Sequence, residues 1–328
     1  MGVLGRPPAV HNRSVISARD GTTADLEALY RDERRRLWAL AYRMTGTGED
    51  AEDVVQEAFA RLLTQRPAPI SPAGWLVRTV THLSIDALRR RRRRSYAGPW
   101  LPSPIEMGED LLDALPCGTP DPEARYGTRE SVTFAFLVAL EALGPRQRAV
   151  LLLRDVMGHG AHDAAEVLGI SEANARVLHH RARRAMDAYD RRRCVPTPEL
   201  RERHHAALEA FVAALEAQDG ARVEALLAES ARTSTDAGGA YTALATPLVG
   251  RARVARLYLA ATMHRAAGGT RREIRLVNGL PAVLITVLAP VRRQAPRTLL
   301  RCELDAEGRI ELVHAVLAPR KLAALRFA

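Results

Sequence analysis

Lysine is almost missing from this chain. Of its 48 basic residues only Lys321 is a lysine; the rest are arginines. The positive charge is therefore carried by guanidinium groups. Their planar fork pairs bidentately with phosphate and with guanine edges, as an ammonium cannot. A coding bias toward arginine would leave the same mark, so the scarcity alone does not name a ligand. Cysteine is scarce too. Cys117, Cys194 and Cys302 lie far apart with no CxxC. That spacing indicates neither a thiolate zinc site nor a disulfide framework, and it fits a reducing cytoplasm. No segment reaches about 18 consecutive apolar residues, the length of a membrane-crossing helix. Residues 1–20 have no long apolar core, so they do not read as a secretory signal. They read as a flexible tail.

What is present points to a polyanion. The formal net charge is +10 over 328 residues, which favours nucleic acid first and an anionic membrane surface second. The length allows two or three domains. From Thr22 to about Arg94 the apolar residues recur at helical spacing, with Leu26, Leu29, Leu37, Leu40 and Met44 as one stripe. "TGTGED" breaks the first helix and caps a second. Ser71 before Pro72 opens a third, on whose buried side Trp75, Val80, Leu83 and Leu88 fall. Residues 96–128 are a linker by composition, rich in proline, glycine and acids. Helical periodicity resumes and runs to "VPTPEL". The remaining 130 or so residues begin with two helices over "PELRERHHAALEAFVAALEAQDGARVEALLAES". They pass through a third and end in strands. An Asn-Gly turn separates two apolar runs in "EIRLVNGLPAVLITVL", and a second hairpin turns around Asp305 to Gly308. Helices followed by strands indicate an α+β domain.

Three segments carry chemistry. "AHDAAEVLGISEANARVLHHRARRAM" has the small residue (Ala165), the turn residue (Gly169) and the capping serine (Ser171) of a helix-turn-helix. Its second helix would meet base edges with Ser171, Glu172, Asn174 and Arg176. His180, Arg181 and Arg184 come later on that helix, where arginines would meet phosphates. His179 reads as a surface residue, and no metal site is assigned. The alternative is an ordinary helical hairpin with a solvated basic face. The helix "EDAEDVVQEAFARLL" has an apolar face (Ala51, Val55, Phe59, Leu62) and an acidic one (Asp50, Asp53, Gln56, Glu57). That acidic face would repel DNA and suits a basic protein partner; the alternative is an ordinary solvated helix face. The helix "GWLVRTVTHLSIDALRRRRRR" offers Trp75 and His82 for stacking on unpaired bases. Arg78, Arg89, Arg90, Arg91 and Arg92 offer charge for phosphates.

These motifs, in this order, resemble the extracytoplasmic-function group of bacterial RNA polymerase sigma factors. The resemblance implies an all-α domain over 21–95 that binds the beta-prime clamp of core RNA polymerase and the minus-ten promoter element. It implies a helix-turn-helix domain over 129–193 for the minus-thirty-five element. "SYAGPWLPSP" resembles the linker of the subgroup with a SnoaL-like extension, an α+β cone of the ketosteroid isomerase and nuclear transport factor class. Residues 197–328 would form it. By the same resemblance Tyr96, Trp100, Leu101 and Pro102 dock on that cone, where Asp236 and Lys321 belong to its "DAGGA" and "APRKL" stretches. Pro99 and Pro102 restrict the backbone that presents Trp100. Three departures stand out. The family's "DGGGK" is "DAGGA" here, and Ala318 replaces an asparagine. Ala164 and Ala175 replace larger apolar residues of the helix-turn-helix. The reading implies promoter DNA and core polymerase as partners, no cofactor, no enzyme activity and no membrane. It leaves open a small ligand in the cone. The competing reading is a helix-turn-helix regulator fused to a small-molecule-binding or isomerase-like cone, with Asp236, Tyr241 and His264 as its polar candidates.

Overall fold

The computed structural model describes residues 14–93, 96, 98–106, 125–325 and 327, the side chains of 14–24 excepted. Residues 1–13 of the expected tail, Arg94 at the end of the arginine run, and residues 107–124 of the linker with Cys117 lie outside them. Helix α1 runs Ser14–Thr45, so it begins earlier than the Thr22 expected. α2 is Gly48–Thr64 and α3 is Pro72–Arg93. Thr47 caps α2 by accepting the Asp50 amide, and Ser71 caps α3 by accepting the Gly74 amide. Leu37, Leu40 and Met44 of α1 meet Val55, Phe59, Leu76 and Val80 in a three-helix core. Trp75 and Leu83 are only half-buried at its edge.

The second helical module holds α4 (Phe134–Ala139), α5 (Pro145–Leu151), α6 (Ala161–Leu168) and α7 (Glu172–Asp190). Its apolar core is continuous with that of the first module. Between α6 and α7, Gly169 takes a left-handed φ of 63° and Ser171 caps α7. This is the expected turn. Ala164 and Ala175 both lie fully buried where the two helices cross.

The C-terminal module is α+β. It comprises α8 (Pro198–Glu216), α9 (Gly220–Leu226), β1 (Leu227–Asp236), β2 (Leu248–Val249), α10 (Arg251–Ala266), β3 (Thr270–Val277), β4 (Leu280–Val287), β5 (Arg297–Leu304), β6 (Ile310–Val316) and α11 (Pro319–Leu322). The sheet order is β2-β1-β6-β5-β4-β3, with β1 parallel to β6 and the other pairs antiparallel. Asn278 and Gly279, with φ of 51° and 81°, make the β3–β4 turn. One expectation is corrected: "LAES" is the start of β1, not the end of a helix. Pairing with β6 overrides the local helical preference.

Alternation along the strands splits the sheet into two apolar faces. Val283, Leu300, Val313 and Ala315 pack under α8, α9 and α10. Ala282, Leu284, Leu299 and Val316 point the other way, and Leu101 of the linker and Phe134 of α4 complete their cluster. The helical modules therefore cover the sheet's second face.

Candidate nucleic-acid interface and interdomain site

Asp236, at the end of β1, is wholly buried. Four donors share its carboxylate. Oδ1 accepts from Tyr96 Oη at 2.5 Å and from the Gly238 amide at 3.1 Å. Oδ2 accepts from the Leu101 amide and from Lys321 Nζ, both at 2.7 Å. Lys321 Nζ also donates to the Leu101 carbonyl at 2.5 Å. Burial is the larger influence on this lysine and drives its pKa down to about 8, against the pull of Asp236. Burial and Asp236 both push the Tyr96 phenol up. Pro102 is buried beside Leu101. All six expected docking residues thus fall in one neighbourhood.

Trp100 has two hosts, the C-terminal module and its own helical module, which the sequence offered as alternatives. Lys321 Nζ lies 4.3 Å from its ring centroid, and the Arg91 guanidinium carbon of α3 lies 3.9 Å from it. Its edge rests on Gly46, where an added Cβ would come within 2.4 Å of Cη2 and φ is 76°. Only glycine fits there.

A second knot sits at the β3–β4 turn. The Asn278 side chain, 1% exposed, donates from Nδ2 to Tyr42 Oη (2.8 Å) and to the Val132 carbonyl (2.7 Å). Its Oδ1 accepts the Ile105 amide at 3.0 Å. Tyr42 in turn donates to the Ser103 carbonyl at 2.6 Å. One amide thus joins both helical modules, the linker and the C-terminal module.

On α7, Ser171, Asn174, Arg176, His180, Arg181 and Arg184 are exposed, and Glu172 is half-exposed. Arg176 Nη2 donates to Glu172 Oε1 at 2.5 Å. His179 is not a surface residue. It is 6% exposed, and its Nε2 meets Asp155 Oδ1 at 2.8 Å, because it faces the α5 side of the module. Arg183 donates to the same carboxylate, so it is held away from a ligand on the α7 face. Trp75, Arg78 and His82 surround one open hollow of about 380 Å³. His82 Nε2 meets the Val167 carbonyl of α6 at 2.9 Å. The arginine run lies at the far end of α3. Arg91 reaches Glu141 at 2.5 Å and the Thr45 carbonyl at 2.7 Å, and Arg92 reaches the Leu143 carbonyl at 2.5 Å. Both are bonded to the second module, Arg91 half-buried and Arg92 still exposed like Arg89 and Arg90. On α2, Asp53, Gln56 and Glu57 are exposed; Asp50 is half-buried and receives a hydrogen bond from Thr47 Oγ1. Among the described residues no cluster of His, Cys, Asp or Glu is arranged to hold a metal ion, and no helix is long and apolar enough to cross a membrane.

Residues 29–94 match the family model of sigma-70 region 2, and residues 133–186 match that of sigma-70 region 4. The ECF RNA polymerase sigma factor SigJ of Mycobacterium tuberculosis is 35% identical over 259 residues, which is 78% of each chain. The chain belongs to the extracytoplasmic-function RNA polymerase sigma factors. A probable ECF sigma factor of the same organism, SigI, is 29% identical over 306 residues, covering 92% of this chain and 96% of its own. The crystal structure of SigJ superposes with a TM-score of 0.68 at 30% identity, over 90% of this chain and 98% of that one. The α+β module of this sigma factor therefore lies within a shared architecture.

Several residues that hold this sigma factor together gave no signal in its sequence. Phe134 of α4 is fully buried with the Arg301 guanidinium carbon 4.8 Å from its centroid and the His314 ring at 6.2 Å. Arg148, 1% exposed, donates to the Met44 carbonyl and to Glu141. His204 and His314 are both buried, and burial together with Arg301 lowers them to about 4 and about 3. Glu303 lies 4.0 Å from His314 Nδ1. The unfolded chain binds these two protons below about pH 6.5, whereas the folded chain binds them only near the lowered values. Stability therefore rises with pH across that window and is lost on acidification, by about 1.4 kcal/mol per pH unit for each histidine. A melting curve at pH 5 should run several degrees below one at pH 7.5. His314→Gln should shrink the gap; an unchanged gap would remove His314 from the account.

Proposed function

We propose that this sigma factor binds core polymerase through the exposed acids of α2 and reads promoter DNA through the α3 hollow and the outer face of α7. We propose further that its C-terminal module holds the two helical modules together until polymerase or promoter separates them. The Asn278 amide, bonded at once to Tyr42, Val132 and Ile105, carries this reading. A sigma factor must place two DNA-binding modules on two separated promoter elements. Here α6 leans on His82 of the first element's reader. The start of α2 also faces α11 across an open cavity of about 680 Å³ lined by Glu49, Asp50, Asp53 and Arg320. Run-off transcription with and without residues 197–328 gives the sign of the effect.

The acidic face separates this reading from a plain helix-turn-helix regulator, which has no use for it. The candidates for an acid–base set do not act as one: Asp236 is saturated by four donors and His264 is exposed on α10. We read the cone as non-catalytic and place the protein in the cytoplasm with its polymerase. Asp53→Lys with Glu57→Lys should lower core-polymerase capture by at least about tenfold, which is 1.4 kcal/mol. The helix should stay folded, because both side chains leave the apolar face and the Glu57–Arg61 pair that is lost is exposed. Capture at wild-type yield by the folded double variant would refute the α2 assignment.

A further inference from the structure

The sheet face turned away from the helical modules has a hole in its packing. Between α8, α10 and the sheet lies a cavity of about 220 Å³, walled by Val212, Leu215, Tyr258, Ile285 and Leu300. Two arginines line it. Arg272 is neutralised by Glu216 at 2.8 Å. Arg265 is not: among the described residues no carboxylate pairs with it. The hydrogen bond from its guanidinium is a long one, 3.5 Å to Thr298 Oγ1. Burial lowers the pKa of this guanidinium, with Tyr258 working the other way. An unpaired cation against apolar walls is a costly arrangement that folding alone does not require. It is matched by a ligand that brings one negative charge and an apolar body.

We infer that this cavity binds a small organic anion the size of a one-ring aromatic carboxylate, with the carboxylate on Arg265 and the ring between α8 and the sheet. Size sets the class: an apolar cavity of about 150 Å³ holds benzene, and the remaining room here accepts the carboxyl group. Arginine and carboxylate pair with charge assistance in a low-dielectric setting. The site also bears on the docking face. Leu300 lines the cavity, while its neighbour Leu299 packs in the cluster with Leu101 and Phe134. An occupant and the linker press on opposite faces of one strand.

Titration of the full chain with benzoate and with its neutral analogue benzyl alcohol, followed by ligand-observed magnetic resonance, tests this without polymerase, so its failure is distinct from failure of the sigma reading. Benzoate should bind at least about tenfold tighter than benzyl alcohol. Arg265→Gln should abolish that preference while benzyl alcohol still binds. Arg256→Gln, on an exposed position of the same helix, should leave both affinities unchanged. If Arg265→Gln does not fold, Arg265→Lys should retain a preference for benzoate. Equal binding of the two probes to the wild type, no saturable benzoate binding, or a preference that survives Arg265→Gln would overturn the inference.

Discussion

Asp236→Ala should release the linker from the C-terminal module. The substitution leaves the Lys321 ammonium buried with no anion, and it orphans the Tyr96 hydroxyl and the Leu101 amide. Breaking one partner of a buried pair costs about 3–5 kcal/mol, and orphaned donors add to that. Docking would then weaken by about two to four orders of magnitude. Limited proteolysis should cut the linker between Tyr96 and Glu106 much faster than in the wild type, because undocked backbone is open to proteases. The two helical modules should stay folded, since their shared core does not include Asp236. An unchanged cleavage rate would mean that Leu101 alone seats the linker. Trp100→Ala is a milder test. Its ring also touches Arg91 and Gly46, so part of its effect should persist when residues from 197 onward are removed.

Asn278→Gly should have the second large effect. Glycine keeps the left-handed backbone of the turn, so the loss is that of the amide alone. The Val132 carbonyl and the Ile105 amide lose their side-chain partner, and Tyr42 loses a donor. At about 1–3 kcal/mol for each buried orphan, the junction of the modules weakens by several kcal/mol. Hydrogen exchange at the Ile105 amide should accelerate by at least a hundredfold, and the solution radius of gyration should grow. Retained protection at Ile105 would show that the apolar contacts of Leu101 and Phe134 hold the junction by themselves.

The elements of the fold were legible where local rules act. Helical stripes, the capping Thr47, Ser71 and Ser171, the Gly169 turn and the Asn278–Gly279 turn all act within a few residues. The docking strip was legible only through its resemblance to a linker class. What was not legible depends on partners far along the chain. A run of arginines carries no record of which two will face Glu141 and Leu143 some fifty residues later, so Arg91 and Arg92 read like their exposed neighbours. His179 reads as one more basic residue until Asp155 is brought beside it. The start of β1 reads as helix because its parallel partner β6 lies about eighty residues away. Phe134 reads as an ordinary core aromatic. Only the assembled sheet shows that it fills a face of another module, beneath Arg301.

The near absence of lysine gives the molecule a built-in reporter. Reagents that acylate side-chain amines find one target here, Lys321, and it is 7% exposed under Trp100 and the linker. Once uncovered, it presents to such a reagent the side-chain amine that the docked linker shields. The extent of acylation at that residue therefore measures how often the linker lifts. An acyl group, once attached, removes the positive charge that Asp236 and the Leu101 carbonyl share, so each label also keeps the linker from settling back.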